Sequence, residues 1–400
     1  MSVTYADIEA AQKRLAGIVK PTPIMTSTTL DQMIGARVLI KPENLQKTGS
    51  FKIRGAFNFI AAMPEADKKR GVVAASAGNH GQALAWAATR AGVKATVVMP
   101  RSAAIAKIAA TRAYGQEVVL EGIDYQEARH AAEALCEQKG ARYVDAYDDP
   151  LIIAGQGTLG IEIAEAAPDV VMVPVGGGGL LAGIAIAIKQ RCPNAEVIGV
   201  EAAGSPQLSL SLAQHAAASI GRPVDTIADG LATGRIGKLP FDVIAPRVRR
   251  AVTVDDFEIG EALLLMLERM KLLVEGAGAT ALAGAIKISD ELKGKTVVVV
   301  VSGGNIDINL LDRIIGHGLA KMGRLFRFAI DMHDRPAELA RLLTEIAQAG
   351  ANVHTIEHDR TRRDVPIGCA RVMLELETRG LDHIALIRAH LASRGYQVVE

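Results

Sequence analysis

Ser50-Phe51-Lys52-Ile53-Arg54-Gly55-Ala56 puts a lysine where a loop runs into a helix. Downstream, Ile53, Ala56, Phe57 and Ile60 recur at i, i+3, i+4 and i+7, the spacing of an amphipathic helix with one apolar stripe. Lys52 therefore falls in the first helical turn. There the unpaired backbone N–H groups and the positive end of the helix dipole disfavour an ammonium, so the amine loses its proton more readily and becomes a usable nucleophile or base. Those are the requirements of a Schiff-base lysine. A solvated lysine at a helix start fits the same seven residues, and the surrounding chain has to decide between the two.

From the lysine loop to about residue 145 strands and helices alternate, with strands at 71–76, 94–99 and 117–120 and helices at 79–91 and 102–113. Such alternation predicts parallel strands joined by crossover helices. Upstream, Thr4 is placed to cap a helix carrying Ile8, Ala11, Leu15 and Ile18, and residues 38–41 read as a short strand. Further on, the chain predicts a helix over 151–167, a strand over 169–175, a helix over 208–220 and another from Asp256 to about Lys271. Thr296 to Val301 has no polar face, as expected of a central parallel strand buried on both sides.

Three turns in this α/β frame carry chemistry. Ser76-Ala77-Gly78-Asn79-His80-Gly81 joins a strand to a helix and presents backbone N–H groups to an anion. Gly176-Gly177-Gly178-Gly179 opens a helix with no Cβ to hold a ligand off, and the helix N-terminus favours a phosphate dianion. Ser302-Gly303-Gly304-Asn305 follows the 296–301 strand, at the carboxyl end where open α/β sheets collect ligands. Gly177, Gly179 and Ala182 also satisfy G-x-G-x-x-A, with Glu201 about 20 residues on, so an NAD(P)-dependent dehydrogenase is a rival reading. It leaves the lysine and asparagine turns unexplained.

With 45 basic against 44 acidic residues the formal net charge is +1, which exerts no long-range pull on nucleic acid or an acidic membrane. Three widely separated cysteines, Cys136, Cys192 and Cys369, indicate neither a disulfide framework nor a paired metal motif. No stretch is long enough to span a bilayer and the first residues lack a basic region followed by an apolar run, so a cytoplasmic location is expected.

Lys41-Pro42-Glu43-Asn44-Leu45-Gln46-Lys47-Thr48-Gly49-Ser50-Phe51-Lys52-Ile53-Arg54-Gly55-Ala56 resembles the cofactor-lysine signature of the threonine and serine dehydratases. These are pyridoxal 5'-phosphate (PLP) enzymes of the tryptophan synthase β type, and the likeness continues through most of the chain. It implies the two-domain PLP fold type II, with parallel or mixed sheets and helices on both faces. The catalytic domain would span 1–320, with a smaller subdomain at about 44–145. In the family pattern Lys52 holds PLP and removes the Cα proton, Gly176, Gly177, Gly178 and Gly179 cradle the phosphate, and Asn79 bonds the ring oxygen. Ser302 bonds the ring nitrogen, and Ser76, Ala77, Gly78, Asn79 and His80 form the loop that binds the substrate carboxylate. His80 at a helix start also fits a plain cap or surface residue.

The implied reaction is loss of the hydroxyl from L-threonine to give 2-oxobutanoate and ammonia, with L-serine or 3-hydroxyaspartate as alternative substrates on the same scaffold. Serine racemases place a serine where this chain has Ala77, which disfavours racemisation. Some of those relatives bind a divalent cation through an acidic residue matching Glu201, but the following Ser205, Pro206 and Gln207 supply no second carboxylate; no metal site is assigned. The resemblance also implies a homodimer or homotetramer in amino-acid metabolism, with isoleucine biosynthesis as the associated pathway.

Residues 325–400 read as a separate βαββαβ module. With Asp334-Arg335-Pro336-Ala337-Glu338-Leu339 at the start of its first helix it resembles an ACT regulatory domain, which implicates Asp334, Ala337 and Asn352 in binding an amino-acid effector. Glycine often stands in that family where this chain has Ala337. A sensor without catalysis, built on this module, is a further alternative. His354 and His358 share the polar face of one strand and are not assigned to a metal.

Overall fold

The computed structural model describes residues 3–399, which divide into two compact units at Asp307/Ile308. In the first unit, helix Tyr5–Leu15 begins at a capping box in which the Thr4 hydroxyl accepts from the Asp7 N–H and the Asp7 carboxylate accepts from the Thr4 N–H. Ile8, Ala11 and Leu15 are buried along its apolar stripe. The 296–301 run is the strand Thr296–Val301, with Val297 to Val301 all buried. It pairs in parallel with Arg37–Pro42 on one side and Val170–Pro174 on the other. The six-stranded sheet continues through Glu196–Ala202 to Ala251–Val254, and its other edge is the antiparallel Met25–Thr26.

A second sheet of four parallel strands, in the order Glu117–Leu120, Ala95–Met99, Val72–Ala75, Arg142–Tyr143, is built from one contiguous stretch of the same unit. Helix Lys52–Ala62 buries Ile53, Ala56, Phe57 and Ile60 and packs against Pro150–Ala164 and Asn79–Ala91. Several expected boundaries shift. The helix predicted from Ser102 begins at Ile105. The helix expected over 208–220 spans Gln207–Gln214, stopped by His215 in the left-handed region with φ 53°. The helix expected from Asp256 to Lys271 is α-helical to Leu265 and widens into a π-turn over Met266–Met270. Helix Tyr125–Lys139 and strand Ala251–Val254 were not anticipated from the pattern.

The second unit starts with helix Ile308–Lys321, earlier than the sequence boundary at 320–325. The reason lies at the helix's end. The Thr378 N–H donates to the Arg324 carbonyl and the Gly380 N–H to the Gly323 carbonyl, which ties the residues just beyond the helix to the second unit's own sheet. The order that follows is strand Leu325–His333, helix Glu338–Gln348, strands Asn352–Asp359 and Cys369–Glu377, helix Leu381–Ser393 and strand Val398–Val399. Its four strands form an antiparallel sheet in the order 352–359, 369–377, 325–333, 398–399. Phe328, Ile330, Leu342, Ile346, Ile387 and Leu391 fill the layer between that sheet and the helices.

Candidate active site

Turns at the carboxyl ends of strands from both sheets of the first unit meet at one cavity of about 270 Å³. Strand Val72–Ala75 delivers Ser76, Ala77, Gly78, Asn79 and His80; Val170–Pro174 delivers Gly176, Gly177, Gly178 and Gly179; Thr296–Val301 delivers Ser302. Lys52 arrives from the loop after Arg37–Pro42, as the first residue of its helix. Thus the residues expected to bind cofactor and substrate, spread over some 250 positions, line one space.

The Lys52 Nζ donates to the Ala146 carbonyl oxygen at 2.9 Å. Burial pulls this amine down to about 8, while the Asp145 and Glu275 carboxylates keep it from falling further. His80 is 3% exposed and donates from Nε2 to the Val144 carbonyl oxygen at 3.1 Å, so it is a buried group and not a surface cap. Burial, with Lys52 nearby, pulls its imidazole down to about 4 and keeps it neutral. The Ser76 hydroxyl accepts from the N–H groups of Gly78 and Gly81 at 3.2 and 3.0 Å, shaping the turn that leads into helix Asn79–Ala91. The Ser302 hydroxyl, also 3% exposed, donates to the Ala277 carbonyl oxygen at 3.2 Å.

Two of the four glycines at 176–179 show why this loop carries no side chains. Gly178 has φ 92°, a conformation that side-chain-bearing residues rarely adopt. A Cβ on Gly177 would overlap the Tyr147 ring, so the loop is pressed from behind while helix Gly179–Arg191 presents its N-terminus. A helix N-terminus for a phosphate dianion, an amine of lowered pKa for an aldehyde, and an amide and a hydroxyl in the same cavity match the functional groups of PLP. The residues present therefore fit that cofactor.

Other site residues escaped the sequence reading. Glu275 is the N-cap residue of helix Gly276–Lys287 but caps nothing; its carboxylate accepts from Asn79 Nδ2 at 2.6 Å inside the cavity. Burial, helped by Asp229, pushes it up to about 7, against the bond from Asn79 and the charges of Lys107 and Lys52. Lys107 and Asp229, both in the lining, form an ion pair. A glutamate starting a helix and failing to cap it was the one available signal, and only the folded chain reveals the failure.

Other expectations separate in space. Glu201 is buried, and its carboxylate accepts from the N–H groups of Leu208 and Ser209 at 2.7 and 3.0 Å and from the Ser209 hydroxyl. It thus caps helix Gln207–Gln214, which gives the dinucleotide reading of this residue a structural alternative. In the second unit Asn352 and Leu325 both stand opposite Glu377, whereas Asp334 follows His333, which stands opposite Cys369. Asp334 and Asn352 therefore lie at opposite ends of the sheet, roughly 30 Å apart at ~3.4 Å per residue. Asp334 accepts from Arg360 at 2.7 Å, Asn352 donates to Glu377 at 2.9 Å, and Ala337 is left-handed at φ 74°. Among the described residues no three histidine, cysteine or acidic side chains cluster as a metal site, and no helix is long and apolar enough to cross a membrane.

A family model described as pyridoxal-phosphate dependent enzyme matches residues 15–303. The chain is 46% identical over 399 residues to the L-threonine ammonia-lyase of Thermotoga maritima, covering 99% of each chain. It is 41% identical over 307 residues to the L-threo-3-hydroxyaspartate ammonia-lyase of a Pseudomonas species, covering 76% of this chain and 96% of that one. The crystal structure of a T.th. threonine deaminase matches with a TM-score of 0.73 and 41% identity, over 76% of this chain and 99% of that one. With the glycine cradle and the cavity lysine already in place, these likenesses lead to one conclusion: the chain belongs to the pyridoxal-phosphate dependent enzymes of fold type II, in the threonine ammonia-lyase family.

Proposed function

We infer that the protein is a PLP-dependent ammonia-lyase that converts L-threonine into 2-oxobutanoate and ammonia. The observation that carries this reading is that the end-to-end likeness to an L-threonine ammonia-lyase coincides with a cavity lined by Lys52, a half-buried amine of lowered pKa. PLP, when bound, supplies the electron sink that makes the Cα proton removable. Lys52 is its anchor, and Lys52 Nζ takes the Cα proton. The N–H groups at the start of helix Asn79–Ala91 orient the substrate carboxylate, with neutral His80 adding no charge beside them. Ala77 presents only a methyl group and has no proton to exchange, in keeping with elimination rather than racemisation. The Cβ hydroxyl leaves as water, and the released enamine takes water back at Cα, yielding the 2-oxo acid and ammonia.

For 3-hydroxyaspartate the cavity would have to meet a second carboxylate. Besides Lys52 the lysine in the lining is Lys107, already paired with Asp229, which supports the methyl-bearing substrate. Lys52→Ala is expected to abolish 2-oxobutanoate production while the protein remains folded; near-normal turnover in that variant would remove the mechanism.

The second unit is read as an ACT-like regulatory module on its strand and helix order. Since Asp334 and Asn352 stand at opposite ends of one sheet, an effector site using both needs a second copy of the chain, in keeping with a homo-oligomer. Amino-acid additions that change threonine kinetics in the full chain, but not in one ending at Asp307, would support the regulatory role.

A further inference from the structure

Asn305 ends the turn after strand Thr296–Val301 and lies outside the cavity lining, and no step above uses it. Its side-chain nitrogen donates to two oxygens, the Thr48 carbonyl at 2.8 Å and Asn79 Oδ1 at 2.6 Å. Asn79 Nδ2 in turn donates to Glu275 Oε1 at 2.6 Å. A side-chain amide turned end for end occupies nearly the same volume, so a string of amides needs a fixed point to define which end donates. The Thr48 backbone carbonyl is that point, because it can only accept. It draws the nitrogen of Asn305, the same nitrogen must then meet Asn79 through the oxygen of Asn79, and the nitrogen of Asn79 is left on the side of Glu275. An ionised Glu275 also only accepts, so the two ends of the string agree.

The fixed point is itself held firmly. Thr48 sits in the left-handed region with φ 61°, inside the tight turn Lys47–Gly49, and the Gly304 N–H donates to the Gly49 carbonyl at 2.9 Å. Asn305 thus joins the lysine loop, the asparagine loop and the turn after the central strand. Asn79 and Glu275 line the cavity, so the nitrogen end of Asn79 lies on a cavity-lining group while its oxygen is turned to Asn305 behind it.

We propose that Asn305 is a positioning residue that fixes Asn79 as a hydrogen-bond donor toward the bound cofactor, through a relay anchored on the Thr48 carbonyl. The proposal rests on the PLP reading of this cavity. A donor at the cofactor's ring oxygen favours its ionised form, and a reversed amide would present an acceptor there and disfavour it.

The test compares the wild-type holoenzyme with Asn305→Asp and Asn305→Ala, reading the pH titration of the violet absorbance band and the dissociation constant for PLP. Aspartate keeps the shape, but when ionised it has no donor for Thr48 or Asn79, so Asn79 turns its nitrogen away from the cofactor. The titration midpoint is expected to rise by about one pH unit and PLP binding to weaken about tenfold. Alanine removes the anchor on the oxygen side and leaves Asn79 held by Glu275 alone, and it gives a smaller shift of the same sign. A packing role alone predicts the reverse order, because alanine removes more contact than aspartate does. A wild-type band, titration and affinity in folded Asn305→Asp overturn the proposal, as does a larger shift in Asn305→Ala. If the aspartate variant does not fold, a wild-type titration in Asn305→Ala overturns it alone. A wild-type protein that takes up no PLP overturns the cofactor reading itself and is distinguishable from all of these.

Discussion

Lys52 Nζ and the Ala146 carbonyl oxygen, 94 positions apart in the chain, meet at 2.9 Å. The bond fastens the first turn of the lysine helix to the end of the second sheet, just beyond strand Arg142–Tyr143. Burial brings the amine down to about 8, outweighing the Asp145 and Glu275 carboxylates, which favour the ammonium form. Only the neutral amine attacks an aldehyde, so below that value the reactive fraction rises about tenfold per pH unit. The association rate of PLP with cofactor-free protein should therefore climb with pH and level off near 8. Stopped-flow absorbance measures it; a rate still climbing tenfold per unit toward pH 10 would mean an ordinary lysine.

Arg54, two residues along the same helix, is 0% exposed. It donates to Glu43 at 2.7 and 2.8 Å and to Glu162 at 2.6 Å, and Lys41 adds a second ion pair to Glu162. Burial by itself pushes the Glu43 carboxyl up, but the Arg54 guanidinium overcomes it and holds the group below its usual 4.5. Arg54→Ala strands a buried carboxylate and should lower stability by ~3–5 kcal/mol in urea melts. The sign with pH follows from the lowered carboxyl. Its contribution is complete above the unfolded value and is lost as pH falls through the folded one, so Glu43→Gln should flatten the acid limb of the stability curve.

Gly177 is where the cradle tolerates least. Because a new Cβ would overlap the Tyr147 ring, Gly177→Ala should cost ~1–3 kcal/mol of stability and weaken PLP binding. At Gly178, whose φ is 92°, alanine should add ~1–2 kcal/mol of backbone strain. Equilibrium dialysis against PLP and thermal melts read both; wild-type affinity in the two variants would show that the loop does not bear on the cofactor.

Much of the frame could be read from local pattern, because its signals are local. The stripe at Ile53, Ala56, Phe57 and Ile60, the polar-free run 296–301 and the four glycines at 176–179 each lie within a dozen residues. Helix Tyr125–Lys139 gave no such signal, since its buried residues are only Ala128 and Ala132. Strand Arg142–Tyr143 has two residues and no room for a period. The polar chemistry was harder still. Glu275 meets Asn79 across 196 positions and Asn305 meets it across 226, separations that leave no spacing to detect. The sequence pointed to the backbone cradle and the lysine, whereas the groups that orient them exist only once the sheets have assembled.

Glu275 makes a pH prediction of the opposite sign to that of Glu43. Its folded value is raised to about 7 from 4.5, so the folded state binds the extra proton. Stability then falls as pH rises from about 4.5 to about 7, with the full cost present above 7. Glu275→Gln keeps an oxygen for the Asn79 N–H and removes the titration. Cofactor-free Glu275→Gln should be more stable than wild type at pH 8, by an amount on the order of 3 kcal/mol at most, with the gap closing at pH 4.5. Equal stability of the two proteins at both pH values would contradict a buried carboxylate titrating there.

The most direct single measurement is the visible absorbance spectrum of the purified, dialysed protein before and after L-threonine, with 2-oxobutanoate assayed in the same cuvette. The expected result is a violet band that changes on adding threonine while the 2-oxo acid accumulates, and its loss in Lys52→Ala. A colourless protein that forms no 2-oxobutanoate even when PLP is resupplied would contradict a PLP-dependent threonine ammonia-lyase.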